Sequence, residues 1–317
     1  MTRVVAVGGG TGMPILIKGL LEIDIDIQAV VTVADDGGSS GVLREELGIM
    51  PPGDSRNCLV AMANGNTLMS SLFQYRFENG ESLKSHAVGN LIIAALTEIS
   101  GDFSKALVLA GSLLGARGRV MPSSLEPLTL LAQVETWSSS NGGGQISGQV
   151  NIANRLRPLK SIAIEPKNTP GCPEALRALR SAEVIILGPG SLFTSILPNL
   201  LIKDINETIK QSSARKIFLS NITIQPGETS GFTAADHIRA LLDSAGSGVC
   251  DEVITSSTII SPEGLAELDE AKTSPLIIDD QNIRDLGVKH TTADLTDERF
   301  PAHHDPHKVA AFFRGAI

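Results

Sequence analysis

Gly8-Gly9-Gly10-Thr11-Gly12 closes the apolar run Arg3 to Val7 and opens an apolar-periodic stretch from Met13 to Leu21. Glycines at a strand end permit positive φ and let a phosphate approach the backbone. A helix starting there aims its N–H groups and its dipole at the anion. Gly8 and Gly10 fit the dinucleotide spacing, but Met13 stands where the third glycine belongs, so the turn predicts phosphate or nucleotide binding without specifying a dinucleotide. A second cluster, Gly188-Pro189-Gly190-Ser191, follows the apolar run Glu183 to Leu187 and repeats the logic. Asn221, at the end of the next apolar run, and Gln225-Pro226-Gly227-Glu228-Thr229 would border the same crevice. Turn geometry alone poorly explains two such clusters in one sheet.

Acidic and amide side chains lie between them. Asp35 and Asp36, followed by Gly37-Gly38-Ser39, end the second apolar run. The pair could bind ribose hydroxyls or a divalent cation such as Mg bridging phosphates, with Asp36 as the candidate metal ligand; Asp35 could instead cap a following helix. Pro51 to Asn57 (PPGDSRN) forms a rigid turn in which Asp54 suits either an N-cap or a ligand contact, Arg56 could neutralise a phosphate, and Asn57 follows. His86 and Asn90, four residues apart, share one helix face. Asp236, His237 and Arg239 read as a solvated helix face. No HExxH, Cys/His or GxxxxGK[ST] pattern occurs, and no nucleophile stands out.

The elements that must hold these residues alternate. Strands are expected at 3–7, 27–33, 183–187, 216–220, 252–255 and 275–278, with helices at 13–21, 87–99, 103–114, 174–181, 203–211, 233–244 and 305–314. That rhythm implies a doubly wound, mostly parallel α/β sheet with helices on both faces. Residues 119–165 differ: β-favouring stretches at Leu130–Trp137 and Ile162–Ile164 surround the SSSNGGG run at 138–144. They are expected to form a small β-rich insertion in a single domain covering 1–317.

Composition narrows the ligand. A net charge of −9 and 3% aromatic residues argue against nucleic-acid binding, which needs a basic surface or stacking platforms. An anionic small molecule stays open, because backbone N–H groups can hold phosphate without net positive charge. No apolar run approaches the roughly 20 residues of a membrane span, and the N-terminus lacks a signal-peptide core. A cytoplasmic protein with Cys58, Cys172 and Cys250 as reduced thiols is therefore expected.

The segments VVAVGGGTG, VTVADDGGSSG, LREELGIMPPGDSRNCLVA, VGNLIIAALTEISGDF, RGRVMPSSLE, LGPGSLFTSILPNLL and QPGETSGFTAADHIRALL, in this order, resemble the YvcK/CofD-like gluconeogenesis-factor family from residue 3 to about 245. The resemblance implies a Rossmann-like fold. It also implies one of two activities. One branch of the family moves a phospholactyl group from a nucleotide-activated donor to a deazaflavin with a divalent metal. The other, similar to this chain along nearly its whole length, binds UDP-sugars and is needed for cell shape and cell-wall synthesis on gluconeogenic carbon. An NAD-dependent dehydrogenase is a third, less supported reading. Residues implied to line the nucleotide cleft are Gly9, Gly10, Thr11, Gly12, Asp35, Asp36, Ser39, Asp54, Asn57, His86, Asn90, Gly188, Gly190, Ser191 and Asn221. Regulators of cell-wall synthesis are the expected partners, and a homo-oligomer is expected. Two departures stand out. The family's GHSLGN is Ser85-His86-Ala87-Val88-Gly89-Asn90 here, and its RHDP is His303-His304-Asp305-Pro306.

Overall fold

A computed structural model describes residues 1–65, 67–80, 83–134, 144–154 and 159–317. Its main sheet contains β1 (Thr2–Gly8), β2 (Ile25–Val31), β3 (Arg119–Pro122), β7 (Val184–Leu187), β8 (Arg215–Leu219), β9 (Glu252–Ser256) and β10 (Lys289–Ala293). The spatial order is β3-β2-β1-β7-β8-β9-β10, every neighbouring pair parallel. This is the doubly wound order, in which the winding reverses between β1 and β7. Val4 to Val7 and Val184 to Leu187 are buried throughout, as strands covered on both faces require. The reversal point therefore lies between the two strands that carry the glycine turns.

The insertion is a three-stranded antiparallel sheet, β4 (Thr129–Val134) between β5 (Gln145–Ser147) and β6 (Leu159–Glu165). Along β4, buried residues alternate with partly exposed ones, the pattern of a sheet with one covered face. Its expected start at about 119 moves, because 119–122 is the edge strand of the main sheet, with Val120 and Met121 buried. Pro122 is tolerated there because an edge position can spare the missing N–H. The expected strand Leu130–Trp137 ends at Val134; 135–137, and 138–143 of the SSSNGGG run, lie outside the described residues.

The far end of the sheet also differs from expectation. Residues 275–278 make only isolated bridges, Pro275 to Thr223 and Ile277 to Thr233. The closing strand is β10, whose Lys-His-Thr-Thr-Ala sequence is half exposed and lacks the apolar signal of a covered strand. Among the described residues no helix is long and apolar enough to cross a membrane. Cys58, Cys172 and Cys250 are buried free thiols.

Candidate functional site

The turns after β1 and β7 meet. Gly10 has φ +67 and Gly190 has φ +152, conformations that favour glycine. A Cβ on Gly12 would stand 2.8 Å from the Pro189 carbonyl oxygen, so the two turns touch backbone to backbone. Together they line a cleft of about 450 Å³, with Thr11 and Gly12 on one side and Ser191 and Asn221 on the other. Thr11 is the N-cap of helix Gly12–Leu20 and makes no side-chain cap bond, leaving the dipole end of that helix without a capping side chain.

The second turn is held from behind. The Asn221 amide clasps one residue at two points: its Oδ1 accepts from Gly190 N at 3.0 Å and its Nδ2 donates to Gly190 O at 2.9 Å. Ser191 caps the π-helical turn Leu192–Ile196, its Oγ accepting from Thr194 N at 3.0 Å and from Thr194 Oγ1 at 2.6 Å. Ser191 Oγ in turn donates to Glu228, and Thr194 Oγ1 lies 3.1 Å from the other Glu228 oxygen. A π-helical turn is a frequent mark of a functional segment.

A smaller pocket of about 240 Å³ adjoins, lined by Asp35, Ser39, Asp54, Arg56, Arg76 and Asn90 among others. Asp54 joins it to the first turn, since its Oδ2 accepts the Gly10 N–H at 2.8 Å. Burial, with the Asp35 charge adding to it, pushes the Asp54 carboxyl up to about 6. Asp35 is raised as well, chiefly by burial and against the pull of the Gly37 N–H. Arg56 donates from Nη1 to Asn90 Oδ1 at 3.0 Å and from Nη2 to Asn57 Oδ1 at 2.6 Å, while its buried Nε has no partner. Burial, then the nearby Arg76, lowers the guanidinium to about 10. Asn90 Nδ2 donates to Ser39 Oγ at 3.1 Å, and the same Oγ lies 3.1 Å from His86 Nδ1.

The expected residues thus divide. Gly10, Thr11, Gly12, Gly190, Ser191 and Asn221 line the cleft; Asp35, Ser39, Asp54, Asn57 and Asn90 line the smaller pocket. Gly9 packs between them, where a Cβ would meet Asp54 Oδ2 at 2.5 Å. Gly188, at φ +81, abuts Leu219 O at the root of the second turn. His86 touches the site through Ser39.

Asp36 stands apart from both groups. Its carboxylate accepts Gln149 N at 2.9 Å and Val150 N at 3.0 Å, tying the insertion's short helix Gln149–Ala153 to the sheet. Both oxygens serve as a helix cap, which disfavours the metal-ligand role expected for Asp36. Among the described residues no cluster of three or more His, Cys, Asp or Glu side chains suits a metal. Two carboxylates that do face one another are Asp35 and Asp54, in the smaller pocket with Arg56 beside them. Asp36→Ala is expected to cost about 1 kcal/mol and to expose 149–153 to protease, read by thermal unfolding and limited proteolysis.

Glu228, in the turn expected to border the crevice, sits with Thr194 in the second turn's hydrogen-bond network, and His304 lines the cleft next to His303. Burial lowers His304 to about 4, and its Nε2 is without a partner. The QPGET turn pointed to Glu228 by its position after Asn221; nothing in the sequence gave the side chain's direction. His237 is buried beside Phe232 and bonded through Nδ1 to Thr233 O at 2.8 Å. The helix face read as solvated therefore turns it inward, because helix Ala234–Ala245 packs that side onto the core.

The profile of a family described as 2-phospho-L-lactate transferase CofD matches residues 4–296. A protein named gluconeogenesis factor from Halalkalibacterium halodurans is 44% identical over 286 residues, 90% of this chain and 87% of that one. The gluconeogenesis factor of Bacillus subtilis is 39% identical over 310 residues, covering 98% and 96%. A crystal structure of a UPF0052-family protein from Bacillus halodurans superposes with a TM-score of 0.93 at 41% identity, over 99% of this chain and 98% of the other. A parallel sheet reversing between two glycine turns, and likeness of this extent to the gluconeogenesis factors, have one reading: the chain belongs to the CofD family.

Proposed function

We propose that the protein is a cytoplasmic regulator that binds a nucleotide sugar, a UDP-sugar, and is required for cell shape and cell-wall morphogenesis during gluconeogenic growth. The observation that carries this reading is the contact between the two glycine turns. A cleft of about 450 Å³ with an uncapped helix N-terminus on one wall and side-chain acceptors on the other suits an elongated ligand with phosphate at one end. The relatives' name, gluconeogenesis factor, supports the physiological part, and partners among cell-wall regulators follow from it.

The test is a thermal-shift and calorimetry panel of UDP-sugars, GDP compounds and NAD. Ligand at ~100 times its Kd adds about 2.7 kcal/mol to stability, and a panel without any shift overturns the reading. His303 lines the cleft where the family motif has arginine. His303→Arg is expected to tighten phosphate-bearing ligands about tenfold or more, a charged hydrogen bond being worth roughly 1.5–3 kcal/mol. Unchanged calorimetric affinity would remove His303 from the ligand's reach.

A second reading, phospholactyl transfer to a deazaflavin, is favoured by the family description and by the Asp35/Asp54 pair. A divalent cation held there would neutralise phosphate charge. In this reading Asp35 and Asp54 hold the cation, and Arg56 and Asn57 orient an anionic group beside it. Turnover of a nucleotide-activated phospholactate with a deazaflavin acceptor, lost in Asp54→Asn, separates the two readings.

A further inference from the structure

His304 lines the cleft, is itself buried, and stands on a stretch of chain fixed from both sides. A backbone bridge ties it to Thr296, Asp305 N donates to Leu295 O at 2.8 Å, and the Asp305 side chain caps helix Pro306–Ala316. Burial lowers the imidazole pKa to about 4, against the pull of a hydrogen bond to the Ser220 carbonyl. The ring is therefore neutral near pH 7 and spends its one N–H on that carbonyl. Nε2, the nitrogen without a partner, is a bare lone pair, able to accept and unable to donate. A buried acceptor left unpaired carries a free-energy cost that a bound donor removes.

The surroundings select the donor. Among the described residues lining the cleft there is no lysine or arginine, and Thr11, Ser195, Thr223, Gln225 and Thr273 line it. Hydroxyls and amides of this kind donate or accept as their partner requires, which suits the hydroxyls of a sugar ring. His303, next in the chain, is exposed at the same cleft. A phosphate within its reach would have a sugar ring beside it in a nucleotide sugar. We propose that His304 is a specificity-determining residue whose Nε2 accepts a hydroxyl of a sugar ring bound in the cleft. This assignment rests on the nucleotide-sugar reading given above.

His304→Asn tests it, because the asparagine amide can keep the Ser220 bond while nothing occupies the place of Nε2. His304→Gln extends an amide oxygen to that place and is the rescue. Calorimetry of parent and variants uses inorganic pyrophosphate, UDP, UDP-glucose, GDP and GDP-mannose. His304→Asn is expected to lose about tenfold on the nucleotide sugar that the parent binds best, with pyrophosphate unchanged, and His304→Gln to regain most of that loss. If the matching free diphosphate shares the loss, the hydroxyl is the ribose's, and a 2′,3′-dideoxy analogue binds parent and variant alike. If only the sugar conjugate loses affinity, the hydroxyl belongs to the pendant sugar. No loss on any nucleotide, a loss that pyrophosphate shares, or a glutamine variant no better than the asparagine one overturns the assignment and leaves the nucleotide reading standing. A parent that binds none of the nucleotides overturns that reading, and this assignment with it. Should His304→Asn fail to fold, His304→Phe, which keeps a ring and lacks both nitrogens, is read in the same way.

Discussion

Asp54→Asn is expected to make the protein more stable at pH 7.5 by on the order of 3 kcal/mol, with a loss of ligand or cation binding. Asp54 is buried, faces the Asp35 charge, and titrates at about 6 instead of its ordinary 3.8. A displacement of about two pH units between folded and unfolded carboxyl corresponds to roughly 3 kcal/mol. The sign follows from the direction. A carboxyl raised on folding holds its proton more tightly in the native state, so its contribution is stabilising below about pH 4 and is lost as pH rises through 6. At pH 7.5 the parent bears the full cost of a buried charge, whereas asparagine bears none and its Oδ1 can still accept the Gly10 N–H. Urea unfolding at pH 7.5 and pH 4 checks this. The gain should be large at the higher pH and nearly vanish at the lower; an equal gain at both would show that the charge is not its source. A site that is more stable without its functional carboxylate is the usual trade between stability and activity.

Gly12→Ala is the second variant with a large expected effect. In a helix the exchange normally favours alanine, by up to about 1 kcal/mol. Here the new Cβ would lie 2.8 Å from Pro189 O and 2.9 Å from Pro189 C, both backbone atoms of the other turn. Neither can swing away as a side-chain tip would, so the turns must part. Overpacking of this kind costs roughly 1–3 kcal/mol, and the parted cleft is expected to lose its ligand. Gly315→Ala, in helix Pro306–Ala316 with nothing within 4 Å of the new Cβ, is the control and should be neutral or slightly stabilising. If Gly12→Ala matches the control in thermal midpoint and ligand affinity, the contact between the turns is not structural.

The parts of the fold legible in the sequence are those under strong constraint. Val4–Val7, Ala29–Val31 and Val184–Leu187 are apolar on both faces, so their sequences have few alternatives, and the glycines that follow β1 and β7 mark turns with positive φ. β3 and β10 were harder because they are edge strands. Arg119–Pro122 carries an arginine and a proline, and Lys289–Ala293 is half exposed, so neither shows the covered-strand pattern. Conversely, Pro275 to Ile278 is apolar enough to look like a strand but spends its bonds on isolated bridges.

At the site, residue types and neighbourhood were legible, whereas the jobs of individual side chains were not. Asn221, Ser191, Asn57 and Asn90 are where the turns require polar groups, yet among their hydrogen bonds are ones to Gly190, Glu228, Arg56 and Ser39. Whether a polar side chain reaches a ligand or supports its neighbour depends on χ angles and, for three of these four, on partners more than 30 residues away, which local pattern does not encode. The same gap hid which way Glu228 faces.

Asp35 and Asp36 show what that dependence on direction entails. Neighbours in an extended chain project to opposite sides, and here one turns into the pocket with Asp54 while the other caps the insertion. The backbone between β2 and helix Gly38–Leu47 therefore has a reading frame. Removing or adding one residue between Val31 and Asp35 would exchange the two carboxylates, sending Asp35 towards the insertion and Asp36 towards the pocket, although every side chain needed is still present. Length variation, usually the most forgiving change a surface connection can accept, is the change this connection tolerates least.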